Sequence, residues 1–388
     1  MLWEHYVFRR GEEVHELWDP LFDRRPIRLI YIAGRGFDVR AQAVMRECVR
    51  GIQAAGNPVA EAHLVLVGIP GYELDPSLRN LTEVNARELD HIFSALGSTT
   101  TIVAGLSRAG GDDISASQAL RASTDAVLKH ISHQTDIILD VSSLPRVMYL
   151  TLMTSILHRL VPRKDDPEAL AAGGVNFQVL VAEDANLDSQ ILAEDPSNDP
   201  VLIPGFASGV QAESVQEWPL VWFPILGEHR VNQLNQIMRS NLIPDEAEIC
   251  AVVPHPSRNP RRADRLLIEY KEPLFDKRQT PTSNILYAHE SQPFEAYRQL
   301  LQAMQRYRQS MSILGGCRLV VSPLGSKLIT LGAGLACFEM RPENVSANYR
   351  VAIPHAEPMR YRAEVNALTQ STPEICCLLL TGAAYSST

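Results

Sequence analysis

The sequence predicts an α/β protein made of two mainly parallel sheets flanked by helices. Short apolar runs of strand length alternate with amphipathic segments of helical length through most of the chain, which is typical of βαβ units. The length of 388 residues fits two domains of about 180 residues better than a single core. The alternation is interrupted between residues 184 and 216, where acids and the run Asp195-Pro-Ser-Asn-Asp-Pro200 replace the apolar runs.

The first alternation predicts one Rossmann-like domain over residues 27–185, preceded by an N-terminal arm over residues 1–26. Because crossovers between parallel strands are right-handed, the helices should cover both faces of its sheet. The predicted strands lie at 27–33, 63–69, 100–105, 136–141 and 176–182, and the predicted helices at 39–55, 82–96, 114–132 and 144–160.

The second alternation predicts another Rossmann-like domain over residues 218–388, after a linker or surface excursion over residues 186–217. The last apolar run, 375–380, is interpreted as an edge strand. The other predicted strands lie at 220–225, 248–253, 284–288, 318–321 and 349–353, and the predicted helices at 231–241, 293–307 and 328–339.

A short match between the two halves indicates an internal duplication. Val141-Ser-Ser-Leu-Pro-Arg146 ends a predicted strand and opens an apolar helix, and Val321-Ser-Pro-Leu-Gly-Ser-Lys327 does the same in the second half. The match covers few residues, so two unrelated domains of the same class are the alternative.

Composition restricts the kinds of partner. The net charge of −9 argues against wholesale coating of nucleic acid, although a local basic strip could still bind it. The sequence contains no run of 18 apolar residues, so no membrane span is predicted. The N-terminus lacks the basic and apolar regions of a secretory signal. The six cysteines show no C-x-x-C spacing, which favours buried thiols in a reducing cytoplasm over a zinc site.

The turn after the first strand reads Gly34-Arg-Gly-Phe-Asp-Val-Arg40. Ligands of open parallel sheets bind beyond the carboxyl ends of the strands, and glycines there permit close backbone approach to a phosphate. Asp38 is a candidate helix cap and Arg40 a candidate phosphate ligand. The turn is not a dinucleotide fingerprint, because Val39 occupies the third glycine position. A plain strand–helix turn is the alternative.

The junction after the fourth strand collects Asp140, Ser142, Ser143 and Arg146. Ser143 is predicted to be the N-cap of the following helix, with Pro145 in its first turn. A helix N-terminus beside hydroxyls and a guanidinium suits an anionic ligand, and Asp140 is a candidate catalytic carboxylate. A capping or ion-paired role for Asp140 is the alternative.

Acids after the fifth strand offer a magnesium site as a further hypothesis. Glu183, Asp184 and Asp188 could hold Mg²⁺ together with Asp140 or Asp38, since hard cations prefer carboxylates. A solvated acidic cluster is the competing interpretation, so no residue is assigned as a metal ligand.

In the second half, basic and acid/base candidates follow two strands. The loop 255–265 contains four arginines, of which Arg258 and Arg262 are candidate phosphate ligands. His289 and Glu290 follow the strand 284–288 and form a candidate catalytic acid/base pair. A solvated basic loop and a structural histidine are the alternatives.

Ser322, Ser326 and Lys327 resemble part of a phosphate loop, but the spacing of a Walker-type ATPase is absent. Two nucleophile patterns also fail. The run 105–110 has Ala109 where a hydrolase elbow needs glycine, and Ser208 lacks the elbow spacing.

With these residues in view, the chain resembles uncharacterised bacterial Rossmann-like proteins of phage-defence gene neighbourhoods. The resemblance rests on a strand–Gly-x-Gly-Phe-(Asp/Glu)-x-Arg turn, here Gly34, Gly36, Phe37, Asp38 and Arg40, and on a later strand–Asp-x-Ser–Arg junction, here Asp140, Ser142 and Arg146. It implies a nucleotide-related role in bacterial conflict and a protein partner from the same gene cluster. It assigns no reaction.

The expected function is binding of a nucleotide or another phosphorylated ligand in one pocket, lined by both halves, at the carboxyl ends of the strands. Hydrolysis of a phosphoester or glycosidic bond would make it a nucleotide hydrolase or a glycosidase. The alternatives are a non-catalytic nucleotide sensor or assembly subunit, and, more weakly, a nucleic-acid processing factor that uses the basic loop.

Overall fold

A computed structural model describes residues 1–104, 116–166, 168–188, 190–206, 210–344 and 346–386. The strands are β1 Val7–Arg10, β2 Ile27–Gly34, β3 Val59–Gly68, β4 Ser98–Val103, β5 Asp136–Asp140, β6 Asn176–Glu183, β7 Leu192–Pro196, β8 Val201–Leu202, β9 Leu220–Ile225, β10 Glu248–Ile249, β11 Val252–Pro254, β12 Leu286–Ala288, β13 Cys317–Pro323, β14 Tyr349–Ala352, β15 Pro354–His355, β16 Pro358–Arg362 and β17 Glu374–Thr381. The α-helices are α1 Glu13–Phe22, α2 Arg40–Ala54, α3 Pro76–Phe93, α4 Ala116–Leu128, α5 Arg146–Leu160, α6 Ala185–Asp188, α7 Val231–Arg239, α8 Arg262–Glu269, α9 Pro293–Met311, α10 Lys327–Glu339 and α11 Val365–Gln370.

The predicted fold class is confirmed: two mainly parallel sheets lie between helices. The chain divides into unit 1, residues 1–192 with 361–388, and unit 2, residues 193–360. Unit 2 is therefore inserted into unit 1 rather than following it. Within the described ranges, no helix has the length and apolar character needed to cross a membrane.

Five parallel strands have the same order in both units, and in unit 2 a short sixth strand, β10, also pairs parallel with β9. The order is β4-β3-β2-β5-β6 in unit 1 and β12-β11-β9-β13-β14 in unit 2, which is 3-2-1-4-5 counted along each unit. This is the Rossmann order. The second and third strands are added on one side of the first strand and the fourth and fifth on the other, so the order reverses between the first and fourth strands, at what is called here the reversal point. The repeated order supports the predicted duplication, because the two matching sequence junctions follow the fourth strand of each unit.

The helices that follow the fourth strands are buried around almost their whole circumference. Every side chain from Val147 to Thr154 in α5 and from Leu328 to Phe338 in α10 is buried. Helices that are apolar on all sides belong inside a protein, so the apolar runs of these two segments explain their position. Amphipathic helices α2 and α7 instead bury one face against their sheets.

The C-terminal tail was assigned incorrectly. β1 pairs antiparallel with β17, and β17 pairs antiparallel with β6, so residues 361–388 complete the sheet of unit 1. The run 375–380 is therefore an interior strand and not an edge strand of the second domain. The N-terminal segment 1–26 packs on unit 1 through α1, whose Trp18 and Phe22 lie in the core of that unit. Pairing across more than 360 residues leaves no local sequence signal.

The predicted linker is also more structured than its composition suggested. Residues 186–217 include the end of α6, strand β7 and strand β8, and β7 pairs with β16 where the chain enters and leaves unit 2. These two short strands replace the loose linker that the acidic, proline-containing sequence predicted.

Truncation of Leu378 tests the interior position of β17. Leu378 is fully buried, so Leu378→Ala should lower the free energy of unfolding by about 2–5 kcal/mol. Hydrogen exchange measured by mass spectrometry should rise in β1 and β6, the two neighbours of β17. Leu314→Ala is the control, because Leu314 is 62% exposed. Equal exchange of β1 and β6 in wild type and Leu378→Ala would contradict the assignment.

Candidate functional site

At the reversal point of unit 1, the turns after β2 and β5 touch through their backbones. A Cβ atom on Gly34 would lie 2.5 Å from the carbonyl oxygen of Ser143, and one on Gly36 would lie 2.8 Å from the same oxygen. The Ser143 hydroxyl donates a hydrogen bond to the carbonyl oxygen of Gly34 at 2.8 Å. The two glycines thus accommodate a neighbouring turn, and their predicted contact with phosphate stays a prediction.

Ser143 is not the N-cap of α5, contrary to the sequence prediction. The helix begins at Arg146, and the N-cap is Pro145 in an extended conformation. A residue before proline is disfavoured in the helical region, so Leu144 cannot start the helix. The Ser143 hydroxyl is consequently free to bind the neighbouring turn.

Asp140 and Ser142 are buried and hold the end of β5 in place. One carboxylate oxygen of Asp140 accepts a hydrogen bond from the Tyr31 hydroxyl at 2.9 Å, and the other accepts one from the backbone N–H of Ser142 at 2.8 Å. The Ser142 hydroxyl accepts one from the backbone N–H of Ala182 at 2.9 Å. Burial and the charge of Asp140 raise the pKa of Tyr31, so the phenol stays a proton donor.

Arg40 is buried within a cluster of two carboxylates. Its guanidinium donates to both carboxylate oxygens of Asp38, at 2.9 and 2.7 Å, and pairs with Asp188 at 2.8 Å. Burial alone would lower the pKa of Arg40, but Asp38 and Asp188 outweigh burial and raise it. Arg40 is only 2% exposed, so its first role is to join the turn after β2 to α6.

Asn85 of α3 holds the same turn and was missed by the sequence reasoning. Its side-chain amide donates to the carbonyl oxygens of Gly36 at 2.7 Å and Asp38 at 3.3 Å, and its oxygen accepts from Gln42 at 2.9 Å. The sequence offered little signal for it, because its burial becomes visible only in the structure.

Residues 361–371, hereafter the 361–371 segment, cover the carboxyl edge of unit 1. The Tyr361 ring lies 5.8 Å from Phe37 and 5.1 Å from Tyr72, measured between ring centroids. Leu368 joins an apolar cluster that contains side chains from α3, from α6 and from the turn after β2. The Ser371 hydroxyl donates to Asp184 at 2.6 Å. The edge predicted to receive a ligand is therefore occupied by the protein itself in unit 1.

The acids proposed to hold Mg²⁺ are already engaged elsewhere. Glu183 pairs with Arg10 at 3.1 Å, Asp188 pairs with Arg40, and Asp184 accepts from two backbone N–H groups of α6. Within the described ranges, no group of three or more His, Cys, Asp or Glu side chains could hold a metal ion. The magnesium hypothesis therefore finds no support in the arrangement of these residues.

The reversal point of unit 2 repeats the backbone contact of unit 1. A Cβ atom on Gly227, in the turn after β9, would lie 2.1 Å from the carbonyl oxygen of Leu324, in the turn after β13. The carbonyl of Gly227 also accepts a hydrogen bond from the buried Tyr270 hydroxyl at 2.7 Å. Gly227 was not singled out from the sequence, although, like Gly34, it follows the first strand of its unit.

Arg262 links the ends of the first three strands of unit 2. Its guanidinium donates to both oxygens of Glu228 at 2.6 Å and also pairs with Glu290. The second oxygen of Glu290 accepts from the backbone N–H of Arg258 at 2.8 Å. Burial would raise the pKa of Glu228, but the hydrogen bonds and charge of Arg262 outweigh it and lower that pKa. The fold thus brings the predicted phosphate ligand Arg262 and the predicted acid/base residue Glu290 together as an ion pair.

The remaining candidates of unit 2 lie along the same edge. His289 Nδ1 accepts a hydrogen bond from the backbone N–H of Ser291 at 3.2 Å, which places the proton of a neutral imidazole on Nε2. Ser322 is buried and accepts from the Trp222 indole at 2.9 Å. Arg258 is exposed at the tip of its loop.

Ser326 and Lys327 occupy the N-terminus of α10. Ser326 is the N-cap, in the extended conformation also adopted by Pro145, and Lys327 is the first helical residue, as Arg146 is in α5. Neither N-cap side chain caps its helix. The Ser326 hydroxyl oxygen is shielded from solvent and has no hydrogen-bond partner in the part of the chain that the structure describes.

Each unit thus gathers its own predicted residues at the carboxyl edge of its sheet, and a pocket lined by both halves stays a prediction. The two rejected nucleophile patterns, at 105–110 and Ser208, lie outside the described residues.

The fold and the two edges define a protein with two Rossmann-like units, the second inserted into the sequence of the first. The chain matches no protein-family model, and no curated protein sequence matches it.

Replacement of Gly34 tests the backbone contact at the reversal point. Gly34→Ala places a methyl group against the Ser143 carbonyl and should destabilise unit 1 by about 1–3 kcal/mol, measured by denaturant unfolding. Gly68→Ala is the matched control, because its Cβ would make only ordinary contacts, with the Arg35 side chain at 3.5 Å and the Ile102 carbonyl oxygen at 4.0 Å. Similar stabilities of the two variants would contradict the contact.

Replacement of Arg262 tests the charge cluster of unit 2. Arg262→Met leaves Glu290 buried without its guanidinium and should cost about 3–5 kcal/mol, whereas Arg50→Met at an exposed pair should cost about 0–1 kcal/mol. Because the pKa of Glu228 is lower in the folded state than its ordinary value of 4.5, ionised Glu228 stabilises the fold at pH values above 4.5. This contribution is lost as the pH falls through the folded-state pKa. Unfolding followed from pH 7 downward should therefore show a weaker acid dependence in Arg262→Met than in wild type.

Proposed function

We propose that the chain binds a phosphate-bearing small molecule, a nucleotide being the leading candidate, at the carboxyl edge of unit 2. The observation that supports this most directly is the repeated junction after the fourth strand. In both units it places a cation, Arg146 or Lys327, at the first position of a long buried helix.

A cation at that position works against the helix dipole. The N-terminus of a helix carries a partial positive charge, and a basic side chain there is unfavourable by about 0.3–1 kcal/mol at exposed sites. An anion compensates both the helix end and the cation, and backbone N–H groups at such an end suit phosphate oxygens. The occurrence of a cation at the same helix position in both units is therefore the observation from which we infer an anionic ligand.

Unit 2 is the better candidate for the ligand. In unit 1 the 361–371 segment covers the edge, and Arg40 is enclosed by two carboxylates. In unit 2, Ser326 and Lys327 are only partly buried, and the Ser326 hydroxyl oxygen has no hydrogen-bond partner among described residues. Ser326 and Lys327 would contact the phosphate, and His289 and Arg258 lie on the same edge of the sheet.

Binding without bond cleavage fits the carboxylates better than hydrolysis. Glu290 pairs with Arg262 and accepts a hydrogen bond from a backbone N–H group, and Asp140 accepts hydrogen bonds from Tyr31 and Ser142. A general base must reach the proton that it removes, and neither carboxylate is presented to an open surface. We therefore favour the nucleotide sensor over the nucleotide hydrolase or glycosidase, and the implied role in bacterial defence, in the cytoplasm, is part of this proposal.

Charge reversal at Lys327 tests the proposal. A thermal-shift panel of ATP, GTP, NAD and cyclic nucleotides should identify a ligand that raises the melting temperature. Lys327→Glu should weaken its binding at least about tenfold, because a phosphate contact becomes a repulsion. Lys277→Glu, an equal charge change at an exposed surface pair of the same unit, should leave binding unchanged. Absence of any ligand, or equal loss in both variants, would refute the proposal.

Chromatography of the bound ligand separates sensor from enzyme. The sensor predicts an unchanged ligand after prolonged incubation. Turnover that disappears in His289→Ala and Glu290→Gln, with binding retained, would instead support the hydrolase.

A further inference from the structure

We propose that one face of unit 2 binds single-stranded nucleic acid. This face, named the α8–β12 surface, combines an exposed aromatic pair with exposed arginines. It consists of His255, Arg258, Arg261, Arg265, Ile268 and Tyr287. The proposal does not depend on the small-molecule site, because Ser326 and Lys327, which would contact the phosphate there, are not part of this surface.

Strand geometry places the two aromatic rings on the side of the sheet covered by α8. Leu286, Ala288 and Val252 line an apolar crevice against α9 and α10 on the opposite side. Because side chains alternate along a strand, Tyr287 points away from that crevice. The Tyr287 ring is 52% exposed and lies 5.6 Å from the His255 ring, with the planes at 71°. A large aromatic ring left open on an edge strand is a platform on which a base can stack.

The arginines form an exposed stripe on the adjoining helix. Arg261, Arg265 and Ile268 recur at helical spacing, and all three are exposed; Ile268 is 73% exposed. Asp264 is the one exposed acid within residues 255–265, a range that the structure describes completely. Arg262 is paired with its two glutamates and is half-buried, so the exposed arginines of this range are Arg258, Arg261 and Arg265.

The loop that carries Arg258 is fixed beside the aromatic pair. The backbone N–H of His255 donates to Ala288 at 2.9 Å, and that of Glu290 donates to Pro256 at 3.0 Å. Glu290 in turn accepts from the Arg258 backbone at 2.8 Å. Cations and rings are therefore held next to each other by the backbone, which reduces the entropy lost when a strand binds.

This combination suits a single strand better than a duplex. Base–aromatic stacking requires bases that are not already stacked in a helix, and arginine forks match phosphate oxygens. A chain with a net charge of −9 repels nucleic acid overall, so attraction should be confined to this surface.

Fluorescence anisotropy with a labelled oligo-dT of about 12 nucleotides, and with a duplex of equal length, tests the proposal on the full chain. The single strand should bind more tightly than the duplex. With three arginine–phosphate contacts, the logarithm of the affinity should fall with the logarithm of salt concentration with a slope of about −2.

Three variants identify the surface. Tyr287→Ala should weaken binding about tenfold through loss of stacking, and Tyr287→Phe should retain it. Arg261→Glu with Arg265→Glu should abolish binding, whereas Arg239→Glu with Arg306→Glu, the same charge change at exposed positions of α7 and α9, should have a small effect.

Three results would overturn the proposal. One is no binding of the single strand by the wild-type chain. Another is equal binding of strand and duplex that is insensitive to Tyr287→Ala, which would show only nonspecific attraction of a polyanion. The third is equal loss in the two double arginine variants. Since Lys327 is absent from this surface, Lys327→Glu should leave oligonucleotide binding unchanged, which separates failure here from failure of the small-molecule proposal.

Discussion

The close backbone contact between the turns after the first and fourth strands constrains the rest of each carboxyl edge. In unit 1 Gly34 touches Ser143, and in unit 2 Gly227 touches Leu324, at separations that leave no room for a side chain. The Rossmann order places these two turns side by side in both units. The polar residues that follow each turn are therefore fixed in position by a steric requirement, independently of any ligand.

At the carboxyl edge of each unit, one arginine forms ion pairs that connect neighbouring turns. Arg40 meets two aspartates and Arg262 meets two glutamates, so neither buried cation is left without compensation. A buried charge is costly unless it is paired and hydrogen-bonded, which explains why each arginine has more than one carboxylate. These residues are of the types that occur in phosphate sites, but here they stabilise the turns at the carboxyl edges. The cations Arg146 and Lys327 differ in position, because each is the first residue of a helix.

The candidate site was predictable in its location and less so in its contacts. Gly34, Asp140 and Lys327 were found because each lies at or just beyond the end of a strand, and parallel strands bring such positions to one edge of their sheet. The partner of each side chain was not predictable, since Arg262 and Glu290 are separated by two secondary-structure elements and meet only after folding. Asn85 was overlooked because a single polar residue within an amphipathic helix gives little sign that it is buried.

The sequence alone determined the alternation of strands and helices, the buried character of α5 and α10, and the match between the two strand–helix junctions. These properties depend on residues close together in the chain, through apolar periodicity and local turn chemistry. Only the tertiary structure decided that β17 lies inside the sheet of unit 1, that unit 2 is an insertion, and that the 361–371 segment covers one edge. Those outcomes depend on pairing and packing between residues far apart in the chain, where the free energy of burial outweighs any local preference.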